Sequence, residues 1–171
     1  MKKILFLPTW QIFILLILPI VFPTSVFGFM LTTVWLALIT YCVYLLGRNL
    51  YYKLPNVHDL KIKRFNFSMF FSIAYTIIIT GLFEGGYNIN QDNYKEYGSV
   101  VYVVLPLHIF TLYCIFYTIR FIAKAIATIE NNKIVGPDMY IGFFLLLWFF
   151  PIGVWWMHPK IRKIFGTVSA E

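Results

Sequence analysis

The chain reads as an all-α integral membrane protein, with four transmembrane helices followed by a C-terminal re-entrant or interfacial aromatic helical hairpin. Three observations predict this. Of 171 residues, 60% are hydrophobic and 12% charged, with a mean hydropathy of +0.77, whereas a soluble domain carries about a quarter charged residues. The apolar runs are separated by short loops in which cations gather. Residues 139–165, MYIGFFLLLWFFPIGVWWMHPKIRKIF, are apolar enough to enter a bilayer, are interrupted at Phe150-Pro151-Ile152-Gly153, and end in aromatics and then cations.

A hydrocarbon core about 30 Å thick needs roughly 20 apolar residues per helix. The length therefore fits four or five spans in a single membrane domain, 1–171, with little left for an extramembrane domain. The net charge of +7 and pI near 9.4 would suggest nucleic acid in a soluble chain. Here the cations sit in short loops beside apolar runs and read as topology and headgroup signals, so no nucleic-acid partner is expected. Cys42 and Cys114 lie in apolar runs, where cysteine acts as a small hydrophobe. Neither a disulfide framework nor a metal site is expected, and no cofactor.

The first element follows Lys2 and Lys3 and resembles a signal peptide, but residues 23–28 lack a small-x-small cleavage pair and the apolar run resumes at once. A retained helix at about 8–24 is expected. From Trp10 to Leu46 there is no charge, and 37 helical residues would reach about 55 Å, so the chain must turn back. Pro23, Thr24, Ser25 and Gly28 supply the turn, and a second helix follows at about 29–47.

The interval 48–64 holds Arg48, Lys53, Lys61, Lys63 and Arg64 with Asp59 as its one acid, and Pro55-Asn56 breaks it. A third helix at about 65–83 repeats Ser68, Ser72, Thr76 and Thr80 every four residues, a ladder of small residues that lets another helix approach closely. Its alternative is a hydroxyl-lined ion path. Residues 84–98 form a polar turn rich in Gly and Asn. The fourth helix, about 99–130, outlasts its apolar part, with Arg120, Lys124 and Glu130 continuing it beyond the membrane face. Asn131-Asn132 ends it, and Asp138 is placed to cap the next.

With the N-terminus inside and four spans, the basic intervals share the cytoplasmic side and the acidic turn lies outside, as the positive-inside rule requires. If 139–157 then crossed, Lys160, Arg162 and Lys163 would land outside. If it enters, turns at Pro151-Ile152-Gly153 and returns, all of the 14 cations but Lys95 share one side. A re-entrant or interfacial segment at 139–158, a basic tail at 159–171 and two cytoplasmic termini are therefore expected. Pro151 and Gly153 make a break there chemically reasonable.

The series LLWFFPIGVWWMHPKIRKIF, preceded by FIAKAIATIE and upstream by LGRNLYYKLP and LKIKRFNF, resembles a family of short membrane proteins frequent in Bacteroidetes-type genomes. Its members carry a WFFPIG motif, an aromatic, and Gln-Pro-Arg or Gln-Pro-Lys. Here Met157-His158-Pro159-Lys160 stands in that place, with His where Gln is usual. The resemblance runs from about Gly47 to the C-terminus. It implies this architecture and a bacterial inner-membrane home, and it implies no activity.

Among residues that could carry chemistry, His108 lies inside the fourth helix with Thr111 and Thr118 within about 80° on a helical wheel, and Pro106 nearby would free a carbonyl. An ionisable residue inside a membrane is a functional candidate. A pore or buried polar path would use His108, Thr111, Thr118 and the break at Pro151 and Gly153, while the plainer reading is an imidazole bonded to a neighbouring helix. Arg48, Lys61, Lys63, Arg64, Arg120, Lys124, Lys160, Arg162 and Lys163, with Trp155 and Trp156, read as contacts to lipid headgroups or to a partner. Ser68, Ser72, Thr76 and Thr80 read as helix packing. Glu84 reads as part of a solvated turn. His58, Asp59 and His158 offer polar groups at the cytoplasmic face.

No catalytic or nucleotide-binding motif is present, and the acids fall on opposite sides of the expected membrane. The leading expectation is a non-enzymatic polytopic membrane protein, a small subunit or scaffold of an assembly, whose partners are membrane lipid and another membrane protein or further copies of itself. The alternatives are a homo-oligomeric channel or small transporter, and a lipid-modifying enzyme using Arg120, Lys124 and His158 at the inner interface.

Overall fold

The computed structural model describes residues 9–10, 14, 26–56, 58–84 and 94–166. Among these the chain is all-helical: α1 (Val26–Tyr52), α2 (Ile62–Glu84), α3 (Tyr94–Asn131), α4 (Pro137–Trp148) and α5 (Phe150–Gly166). Three helices are long and apolar enough to cross a membrane, over Val34–Tyr52, Ile62–Ile79 and Val100–Asn131, and α4 is a shorter apolar helix. Most of the predicted helix at 8–24, residues 23–25 of its turn and residues 85–93 of the polar turn lie outside the described residues, although Thr9, Trp10 and Ile14 are helical. Val26, Phe27 and Gly28, expected in a turn, instead open α1, and residues 94–98, expected in the polar turn, open α3.

Each observed helix is longer than its predicted counterpart. The second span ends at Tyr52 rather than 47, and the third begins at Ile62 rather than 65, because Arg48, Lys63 and Arg64 are good helix formers. Asn132 ends α3 with a positive φ of 50°, a conformation Asn tolerates better than most residues. At the start of α4, Gly136 occupies the N-cap position with no side-chain cap, Pro137 opens the helix, and Asp138 lies in its first turn. Asp138 is thus not the cap. Its carboxylate still suits a helix N-terminus, where the backbone dipole is positive.

The last apolar stretch turns earlier than the sequence suggests. Phe149, with φ −88° and ψ 47°, separates α4 from α5, and its amide donates to the Leu145 carbonyl at 2.8 Å. Pro151 falls in the first turn of α5, where a missing amide hydrogen breaks no helical bond. Proline here starts a helix rather than interrupting one. A Cβ built on Gly153 would overlap the backbone carbonyl of Leu146, so the fold-back depends on a residue without a side chain. Residues 159–166, expected as a tail, belong to α5, which runs through Pro159.

The chain divides into two compact units, Met1–Ile62 with Ile119–Glu171, and Lys63–Thr118. In the first unit, residues 121–128 of α3 are buried without interruption. Ala123 and Ala127 pack with Val135 and Tyr140, flanked by Met139, Phe143, Phe144 and Leu147 of α4. α5 buries one stripe, Val154, Met157, His158 and Ile161, the i, i+3, i+4, i+7 spacing of a single helical face.

In the second unit, α2 and α3 run antiparallel. Phe67 and Phe71 meet Phe110, and Tyr75 meets His108. The Phe71 and Phe110 rings are 4.7 Å apart at 89°, an edge-to-face pair.

Candidate functional site

Among the described residues, the densest polar constellation lies in the first unit. The Lys124 ammonium donates to Asp59 Oδ2 at 2.6 Å, its side chain 9% exposed against 53% for Asp59. Arg120 Nε donates to the Tyr140 hydroxyl at 3.1 Å, with its guanidinium 6.0 Å from the ring centre. Lys160 Nζ reaches both Glu130 carboxylate oxygens, at 3.1 and 3.3 Å, and stands 4.8 Å over the Phe143 ring. Lys53 Nζ donates to the Ile164 carbonyl at 2.8 Å, near the end of α5, where a cation suits the negative end of the helix dipole. Thr9 Oγ1 and His158 Nδ1 share a 3.0 Å hydrogen bond.

These contacts tie the N-terminal segment, the loop after α1, the end of α3, and α4 and α5 to one another. The Asp59 carboxyl is held below its ordinary value of 3.8, chiefly by the hydrogen bond from Lys124. Burial opposes that shift, and the charges of Lys124 and Arg120 add to it. Beside the pair, His58 rests edge-on against Tyr51 with ring centres 5.2 Å apart, and Tyr51 stacks on Phe121 at 6.4 Å. His58 Nδ1 is buried with no hydrogen-bond partner.

The residues singled out from sequence separate into groups. Lys124 is buried and faces Asp59 instead of reaching for headgroups. Arg48, Lys61, Lys63, Arg64, Arg120, Arg162 and Lys163 are exposed, as are Trp155 and Trp156, and Lys160 is half-buried. Arg48 lies within 3.5 Å of the Tyr44 hydroxyl and 3.4 Å of that of Tyr52, both one turn away on α1. Gly153 is buried in the α4–α5 contact. Pro151 begins α5, and its side chain and that of Thr80 lie outside the described residues.

In the second unit, the Tyr75 hydroxyl and His108 Nδ1 share a 3.0 Å hydrogen bond. His108 is on the exposed side of α3, whereas Thr111 and Thr118 are buried. Thr111 donates to the Leu107 carbonyl and Thr76 to the Ser72 carbonyl, each at 2.8 Å within its own helix. Ser72 Oγ and Thr118 Oγ1 are buried without partners. Ser68 is buried.

Sequence reasoning did not foresee Asp59, Tyr140, Glu130, Thr9 and Tyr75 as partners. The one available signal was Asp59 itself, a single acid in a basic interval. Among the described residues, no group of three or more His, Cys, Asp or Glu could hold a metal ion. Comparison of the chain with family models, curated proteins and solved structures finds no match in any of the three.

Proposed function

We propose that the chain is a non-enzymatic polytopic protein of the bacterial inner membrane, a small subunit or scaffold of a larger assembly, with four spans and both termini cytoplasmic. One observation carries this reading. The charged groups of the first unit fasten segments far apart in sequence, Lys124 to Asp59, Lys160 to Glu130 and Lys53 to the end of α5. Such ties make a rigid platform and leave these cations already engaged. An enzyme at the inner interface would need Arg120, Lys124 and His158 to converge on a substrate, and they are held by three different groups, Tyr140, Asp59 and Thr9.

The test is the mass and composition of the complex released from its native membrane by mild detergent. A stoichiometric companion is expected, and a clean monomer would overturn the reading.

The Tyr75–His108 hydrogen bond favours a second reading, a homo-oligomeric channel or small transporter. It places an ionisable ring on an exposed face within a candidate span, where another copy could cover it. This reading predicts altered ion flux in liposomes for His108→Ala, and equal, near-zero flux in parent and variant would remove it.

A further inference from the structure

We infer that the α4–α5 hairpin stands upright in one leaflet as a wedge. Its Phe149 tip lies among acyl chains near the bilayer midplane, and its opposite end, with Arg162 and Lys163, lies at anionic headgroups. The inference rests on the reading of the chain as a membrane protein, and it decides between the re-entrant and the interfacial forms of the C-terminal segment.

Length comes first. α4 has 12 residues and α5 has 17, so at 1.5 Å per residue they reach about 18 Å and about 25 Å, each short of a core about 30 Å thick. They are not stacked end to end, because the chain reverses at Phe149 and Gly153 lies against the Leu146 backbone. The hairpin as a whole is therefore no deeper than its longer arm.

The distribution of side chains then sets the orientation. A helix lying flat in the interface separates apolar from cationic residues around its axis. On α5 the face opposite the buried stripe changes along the axis instead: Ile152, Trp155 and Trp156 come first, then Arg162 and Lys163, all exposed. α4 shows the same gradient toward the same tip, with exposed Asp138 at its start and exposed Ile141, Leu145 and Trp148 after it. Polarity that varies with distance from the tip matches a bilayer entered end-on.

The scale agrees. Ile152 and Arg162 are ten residues apart, about 15 Å along a helix, and Asp138 and Phe149 are separated by about 16 Å. Half of the hydrocarbon core is about 15 Å. The end away from the tip is also where the charged ties gather, since Lys160 holds Glu130 and Lys53 holds Ile164. At the tip, Phe149 is 57% and Ile152 63% exposed, so acyl chains can cover them.

The experiment uses the full chain with Cys42→Ala and Cys114→Ala, reconstituted in phosphatidylcholine–phosphatidylglycerol vesicles. Nitroxide labels are placed singly at Asp138→Cys, Phe149→Cys, Ile152→Cys and Arg162→Cys. The ratio of accessibility to oxygen over a water-soluble nickel chelate should be several-fold higher at 149 and 152 than at 138 and 162. Equal depth at 149 and 162 means a hairpin lying flat, nickel access at 149 means a tip in water, and access to 138 and 162 from opposite sides means a crossing segment. Each of these overturns the wedge.

A label-free readout guards against a misfolded variant. With Trp10, Trp35, Trp155 and Trp156 changed to Phe, the remaining Trp148 should be quenched more by lipids brominated near the chain ends than near the headgroup, and the reverse order overturns the wedge. Failure of the subunit reading appears separately, in the mass of the solubilised complex.

Discussion

The Lys124 ammonium and the Asp59 carboxylate meet at 2.6 Å across 65 residues of chain, joining the loop between α1 and α2 to the C-terminal third of α3. The two partners are unequally placed, one nearly buried and the other half exposed. Removing the acid strands a buried ammonium, which is the more damaging way to break such a pair. Asp59→Asn should lower unfolding stability in detergent by about 1–3 kcal/mol, less than the 3–5 typical of a fully buried pair because water screens Asp59. Asp59→Leu combined with Lys124→Met should recover part of that loss, and a double variant no better than Asp59→Asn would mean the pair is not the tie described.

The same pair sets a pH dependence. Because the folded carboxyl is held below 3.8, its contribution is fully present above that value and is lost as pH falls through the lower, folded one. The unfolding midpoint of the parent should therefore drop more steeply below about pH 4 than that of Asp59→Asn. Parallel curves for the two proteins would show that Asp59 does not carry the effect.

Gly153 and Gly142 give a matched contrast. Any side chain at 153 meets the Leu146 backbone, while a Cβ at 142 has nothing within 4 Å. Gly153→Val should separate α4 from α5, lower stability by about 3 kcal/mol or more, and speed proteolysis after Arg162 and Lys163. Gly142→Ala should be neutral or stabilising by up to about 1 kcal/mol, as for Gly to Ala within a helix. Similar losses at both positions would contradict the close approach.

Asn132 ends α3 at a φ of 50°. A β-branched residue is strained there, and Asn132→Ile should lower stability by about 1–2 kcal/mol, whereas Asn132→Gly should be tolerated. Thermal unfolding of the two variants distinguishes them, and equal midpoints would argue against a left-handed terminus.

Tyr75→Phe removes the hydroxyl that meets His108 Nδ1. Between membrane helices such a bond contributes about 0.6–2 kcal/mol, so a loss of that order is expected in a denaturation series. If His108→Ala shows the same loss and the double variant adds nothing, the two residues act as one pair. Additive losses would mean that they act separately.

An all-helical chain with helices long and apolar enough to cross a membrane was legible because it follows from local quantities. Run length, mean hydropathy and the places where charge stops a run decide which segments can leave water, and in lipid each backbone amide must find its partner within the helix. Arg162 and Lys163 could be placed after the aromatics without any knowledge of the fold.

Tertiary structure decided what those residues do. No pattern within a window of α3 tells that residues 121–128 are buried all round, and Lys124 looked like a cation reaching for headgroups until the loop carrying Asp59 came to it. The turn was misplaced for a related reason. Pro151 has the same missing amide hydrogen wherever it sits, and only its position in the first turn of α5 makes that harmless. Local composition alone marks which segments are apolar enough for a membrane. The folded chain decided which charges are paired and where the last helix turns, because ion pairs and close backbone approaches depend on distances between residues that the order of the chain does not set.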